Sequence, residues 1–144
     1  MNDTHLFNLA REESFQSDYT SNCSSARIGC VVSYKGTVLA KGHNSNKTHP
    51  AQAKFNKWRY DDSQERRYLP SKVHAEQQAL AKIRFLDIDF SKVVIYVYRE
   101  MKNGHLAMSR PCPACRARLW SMGIRKIKYT TDNGYASEEL IQPN

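Results

Sequence analysis

A chain of 144 residues is the size of one ordinary domain, long enough for a single hydrophobic core and too short for two. With 40% hydrophobic and 25% charged residues it falls outside the disordered and membrane-embedded classes, and no apolar run approaches the ~20 residues that a membrane span needs. Lys and Arg (22) outnumber Asp and Glu (14), and the net charge of +8 suits a polyanionic or phosphorylated partner as well as a merely solvated surface.

The opening Met1-Asn2-Asp3-Thr4-His5 has neither the basic nor the apolar region of a signal peptide, so a cytoplasmic location is expected. From Thr4 to Ser17, Leu6, Phe7, Leu9, Ala10 and Phe15 fall mostly at helical spacing, which predicts an amphipathic helix packed on a sheet. Tyr19 to Ser25 is rich in Ser, Thr and Asn and reads as a loop. It contains Cys23, a thiol with no partner at ligand spacing. Ala26 to Tyr34 and Thr37 to Lys41 are β-branched and apolar runs around Lys35-Gly36, the pattern of a hairpin. Cys30, inside the first of them, reads as a small buried hydrophobe. The second run leads into Gly42-His43-Asn44, where an asparagine commonly caps a strand end.

Ser45 to Lys72 carries seven cations (Lys47, Lys54, Lys57, Arg59, Arg66, Arg67, Lys72) against three acids (Asp61, Asp62, Glu65), a local surplus of four. Phe55, Trp58, Tyr60 and Tyr68 lie among them. Aromatic faces that stack on bases, beside cations that hold phosphates, suit a nucleotide or a single strand. Equally, Ala51 to Arg59 suits a short helix that packs Phe55 and Trp58 on the body of the protein. His43 and His49 could form a second metal site here, although no cysteine matches them.

After Pro70, Ser71 is positioned as the N-cap of a helix from about Lys72 to Phe85. Val73, Glu76, Leu80 and Ile83 share one face of it, so a carboxylate lies on the apolar stripe and needs a partner. His74 and Glu76 would diverge in mid-helix; both reach one site only from a first turn. Val93 to Tyr98 reads as a strand buried on both faces, central in a mixed or parallel sheet. The excursion Arg99 to Arg110 contains an Asn103-Gly104 turn and, in Leu106-Ala107-Met108, a short return strand. Pro111 suits the start of a helix whose first turn holds Cys112 and Cys115 on one side, where the exposed amides favour thiolate. Arg110, Arg116 and Arg118 crowd this motif, available to a phosphate or to solvent. Gly123 ends the helix, and Ile124 to Thr130 is a strand with Ile127 and Tyr129 inward and Lys126 and Lys128 outward. Asp132-Asn133-Gly134 is a turn, and the tail Tyr135 to Asn144 is expected to form at most a short helix.

One imidazole and two thiolates are three ligands for a zinc ion, with the fourth position open, which is a catalytic rather than a structural pattern. Glu76, two residues from His74, is placed to handle protons there without binding metal. The fragments His74-x-Glu76 and Pro111-Cys112-x-x-Cys115 resemble the cytidine and deoxycytidylate deaminase superfamily of zinc-dependent nucleobase deaminases. His74-Ala-Glu76-Gln77-Gln78-Ala79-Leu80 and the long insertion after Asn44 are most similar to deoxycytidylate deaminases.

The resemblance implies a three-layer α/β/α sandwich on a mixed sheet of about four to five strands, in one domain over residues 1–144 with an insertion at about 45–72. It implies His74, Cys112 and Cys115 as the ligands of Zn2+ and Glu76 as the proton carrier in hydrolytic deamination of a cytosine-type base. Asn44 would contact the sugar, with Ala75 and Arg110 as further substrate contacts, and a homo-oligomer would complete the pocket. A free nucleotide such as dCMP leads as substrate; a cytosine or adenine in single-stranded DNA or RNA, tRNA included, stands second. No membrane partner is expected. Outside this class, a thiol redox protein would explain strand, C-x-x-C and helix but not His74-Ala-Glu76. A non-catalytic zinc module would need a fourth ligand such as His105 or Cys23.

Overall fold

The computed structural model describes residues 2–16, 27–44, 74–101 and 103–143. The expectations for Cys23 and its loop, for the basic stretch with His49, and for Ser71 as a cap lie outside the described residues.

Helix α1 (Asp3–Ser14) begins at Asn2, whose side-chain carbonyl accepts the His5 N–H at 2.9 Å. Strands β1 (Ile28–Tyr34) and β2 (Thr37–His43) form the expected antiparallel hairpin around Lys35-Gly36. Strand β3 (Val93–Arg99) pairs antiparallel with β1 and parallel with β4 (Lys126–Thr131), and β5 (Gly134–Glu139) returns antiparallel to β4. Among the described residues the sheet is therefore five-stranded and mixed, in the order β2-β1-β3-β4-β5.

Strand alternation divides the core between two faces. Cys30 and Val32 of β1, with Ile95 and Val97 of β3 and Ile127 of β4, pack against helix α2 (Ala75–Ala81) and helix α3 (Pro113–Met122) through Ala79, Leu80 and Leu119. Val31, Tyr96 and Tyr98 point the other way and meet Leu6, Phe7 and Ala10 of α1. Each large apolar side chain so enclosed contributes about 1.5–3 kcal/mol relative to exposure. The result is the α/β/α sandwich that the motifs imply. Within β4, Ile127 and Tyr129 are buried, whereas Lys126 is exposed and Lys128 reaches out to Asp3 at 2.7 Å, as the alternation predicts.

Three expectations are corrected. The tail is not a short helix: Gly134-Tyr-Ala-Ser-Glu-Glu139 holds Tyr135 as its one strong strand former, yet pairs with β4 throughout, from Thr131 opposite Gly134 to Lys126 opposite Glu139. A tight turn at Asp132-Asn133 and a preformed partner strand override weak local propensity. Leu106 makes one isolated bridge with Glu100 in place of a return strand. Finally, α2 starts at Ala75 rather than Lys72, with His74 at its N-cap, and ends at Ala81.

Candidate active site

Both halves of the motif stand where a chain turns into a helix. His74 is extended (φ −88°, ψ 155°) and precedes α2, so Glu76 falls in the first turn. Cys112 is likewise extended (φ −66°, ψ 165°) before Pro113 opens α3, and Cys115 falls in that first turn. The close seating of α2 depends on Gly42 of β2. A Cβ there would lie 2.4 Å from the Ala75 carbonyl oxygen and 2.6 Å from the Ala79 nitrogen, a gap that only glycine leaves open.

The two helix starts meet. His74 Nδ1 lies 3.3 Å from Cys115 Sγ and 3.4 Å from Cys112 Sγ, and the three donor atoms fall within 4.8 Å of one another. Zinc bonds of about 2.0–2.1 Å to nitrogen and about 2.3 Å to sulfur at tetrahedral angles make an N···S edge of about 3.6 Å, so the donors fit that ion in number, kind and spacing. Among the described residues no fourth donor joins the group, as a closed zinc module would require. A thioredoxin-type pair of thiols has no use for the imidazole that stands in contact with both.

The thiols differ in proton affinity. Cys112 is held well below the ordinary thiol value by its hydrogen bond with Cys115 and by His74, whereas burial and the charge on Cys112 push Cys115 well up. Glu76, 5% exposed, carries a carboxyl whose proton affinity is raised by burial, against the opposing pull of His74. Its own backbone N–H and the Cys115 thiol supply the partners that a buried acid needs. A dry acid with raised proton affinity, beside three metal donors but not among them, can take up and release a proton at that point. Cys30 is fully buried, a thiol pushed well up by burial and then by Glu76, and it stays out of the donor group.

The remaining candidates divide. Asn44 is buried. Its Oδ1 accepts the Ile28 N–H at 3.0 Å and its own N–H donates to the Ile28 carbonyl at 3.2 Å, which closes the β1–β2 ladder as a strand cap. Ala75, fully buried, sits between His74 and Glu76 as the first residue of α2. Arg110 is committed elsewhere: its Nε and Nη2 donate to the two carboxylate oxygens of Glu138 on β5 at 2.8 and 2.7 Å. The Tyr129 hydroxyl donates to the same carboxylate at 3.0 Å. Arg116 is tied through Nη1 to the Pro111 carbonyl, and burial lowers its pKa, as it does that of Arg118. His43 pairs with Glu13 of α1 at 2.7 Å and His105 sits exposed in the Asn103 turn, so neither joins the donor group.

Sequence reading passed over several residues around the site. Gln78 of α2 accepts the His43 N–H at 3.0 Å, fastening the helix to the end of β2. Gln77 is 1% exposed, and among the described residues neither polar atom of its amide has a partner. Glu138 was hidden in a tail without strand propensity. Ser109 and Thr130 form a buried hydroxyl pair whose signal in the sequence is slight: one hydroxyl three residues before Cys112, the other in an otherwise β-forming run.

A family model described as the cytidine and deoxycytidylate deaminase zinc-binding region matches residues 1–131. Among curated proteins none is significantly similar in sequence. Among solved structures, a cytidine deaminase from Burkholderia pseudomallei is similar with a TM-score of 0.63 at 16% identity, over 96% of this chain and 93% of that one. A dCMP deaminase from the cyanophage S-TIM5 is similar with a TM-score of 0.58 at 21% identity, over 91% and 86%. A guanine deaminase from Bacillus subtilis is similar with a TM-score of 0.53 at 16% identity, over 91% and 65%. At these identities the structures share a fold, and that fold serves more than one base.

Proposed function

Because the chain belongs to the cytidine and deoxycytidylate deaminase zinc-binding family, we propose that it hydrolytically deaminates a cytosine-type base, most readily in a free nucleotide such as dCMP, giving dUMP and ammonia. The observation that carries this reading is the meeting of His74, Cys112 and Cys115 beside the buried Glu76. A zinc ion held by those three residues supplies Lewis-acid activation of water. The protein's own part is proton handling and placement. Glu76 would accept one proton from the attacking water and pass it to the ring nitrogen, then accept the second proton of that oxygen as the carbonyl forms and pass it to the amino group, which leaves as ammonia.

Asn44 is assigned to the sugar, and Ala75, between His74 and Glu76 in the chain, is assigned as a further substrate contact. The Glu138 carboxylate engages Nε and Nη2 of Arg110, so a phosphate would compete with it for those two donors. The reading takes the chain as one domain with an insertion at about 45–72, assembled as a homo-oligomer in the cytoplasm. No helix among the described residues is long and apolar enough to cross a membrane.

A second substrate class, a cytosine or adenine within single-stranded DNA or RNA, is favoured by one feature: four surplus positive charges and four aromatics between Ser45 and Lys72. Turnover of dCMP, cytidine and a cytosine-containing single-stranded oligonucleotide by the zinc-loaded protein separates the two. Faster turnover of dCMP than of either competitor is expected; activity confined to the oligonucleotide would replace the free-nucleotide reading with the second.

A further inference from the structure

The loop that delivers Cys112 to the donor group is clamped by a pair of buried hydroxyls. Strands β3 and β4 run parallel and in register from Val94 opposite Lys126 to Val97 opposite Tyr129, and there the ladder ends. The loop between β3 and α3 enters the gap beyond. Ala107 N–H donates to the Arg99 carbonyl at 3.0 Å on the β3 side, and Ser109 N–H donates to the Thr130 carbonyl at 2.9 Å on the β4 side.

Side chains complete the junction. Ser109 Oγ donates to the Val97 carbonyl at 2.9 Å and accepts the Thr130 N–H at 2.8 Å, so one hydroxyl spans both strands. Thr130 Oγ1 accepts the Arg99 N–H at 3.1 Å. Its single proton serves either the Ala107 carbonyl at 2.7 Å or Ser109 Oγ at 2.8 Å. Thr130 is fully buried and Ser109 is 6% exposed, so water does not compete for these bonds. Ser109 stands three residues before Cys112, with Pro111 stiffening the link and the Arg116 guanidinium holding the Pro111 carbonyl.

We propose that Ser109 and Thr130 are positioning residues of the metal centre: their hydroxyl clasp sets where Cys112 Sγ stands relative to His74 and Cys115, and thereby the hold on zinc. The proposal rests on the zinc site but not on the identity of the substrate. A ligand held through a short stiff link to a fully satisfied buried network costs no reorganisation on binding metal. Loosening the clasp frees Cys112 to drift, and the ion leaves faster.

The experiment follows zinc loss from the full chain to a chromogenic chelator, and the visible absorption of the cobalt-substituted protein. Ser109→Ala and Thr130→Val remove one hydroxyl each, whereas Thr130→Ser keeps it. Expected are zinc release about 10–100-fold faster in the first two, as for other residues that orient metal ligands, and altered cobalt bands, with Thr130→Ser near the parent. Should Thr130→Val fail to fold, Ser109→Ala and the milder Ser109→Cys carry the comparison. Release rates and cobalt bands like the parent's in folded clasp variants, even with lowered melting temperatures, would reduce the clasp to a fold element and overturn the proposal. Equal loss in Thr130→Ser and Thr130→Val would overturn it too. A parent that binds zinc tightly yet deaminates no cytosine compound would sink the proposed function and leave the clasp standing.

Discussion

His74 Nδ1 and Cys115 Sγ, 41 residues apart in the chain, stand 3.3 Å from each other. The distance joins two helix starts rather than two helix faces, which is why residues two and three apart in sequence can converge on one site. Whatever shifts α2 against α3 therefore acts on the metal first.

Replacing either thiol ligand tests that dependence. Cys115→Ser should purify with little zinc by elemental analysis, where the parent carries close to one ion per chain. Stripping the parent with a chelator should lower its unfolding free energy, by about 2.7 kcal/mol where free zinc stood at a hundred times its dissociation constant. A fully zinc-loaded Cys115→Ser protein would remove this thiol from the ligand set.

Glu76→Gln separates proton transfer from metal binding. The amide keeps the shape of the buried side chain but carries no proton between water and base. Turnover should fall by about 10²–10⁴-fold with zinc content unchanged. Activity within a few fold of the parent would leave Glu76 without the role assigned to it.

Gly42→Ala probes the seating of α2 from the far side. The new methyl would collide with the backbone of Ala75 and Ala79, which cannot give way as a flexible side-chain tip could. A loss of about 1–3 kcal/mol in urea unfolding is expected, with weaker zinc retention because His74 moves with the helix. Unfolding and zinc retention both equal to the parent's would show that α2 tolerates a wider gap.

The Arg110–Glu138 pair makes a prediction in pH. Arg110 holds the Glu138 carboxyl below its ordinary value of 4.5, so the folded chain takes up that proton less readily than the unfolded one. The stabilisation is complete above that ordinary value and is lost as pH falls through the depressed folded one. With the arginine side chain 43% exposed and the glutamate 24%, the pair is worth no more than about 1 kcal/mol. In the metal-free protein, Glu138→Gln should lose about that much at pH 7 and less at pH 3. An equal loss at both would show that the ion pair contributes nothing.

Much of this protein was legible along the chain, because the informative patterns are local. The apolar spacing of Leu6, Phe7 and Ala10 and the alternation of Ile127 and Tyr129 with two lysines each state which face is buried, and the continuous run of β3 states that both of its faces are. His74-Ala-Glu76 and Cys112-x-x-Cys115 name a donor set and an acid through residue chemistry alone. Tertiary contact decided the rest. Strand β5 forms because β4 is there to pair with it, and through β5 Glu138 comes to occupy Arg110. The first turn of α2 starts at Ala75, and Gly42 sets its depth. Ser109 and Thr130 act only together, from segments that the sequence keeps 21 residues apart. Periodicity reports what one segment does with its own side chains; which segment answers it depends on how the sheet closes around them.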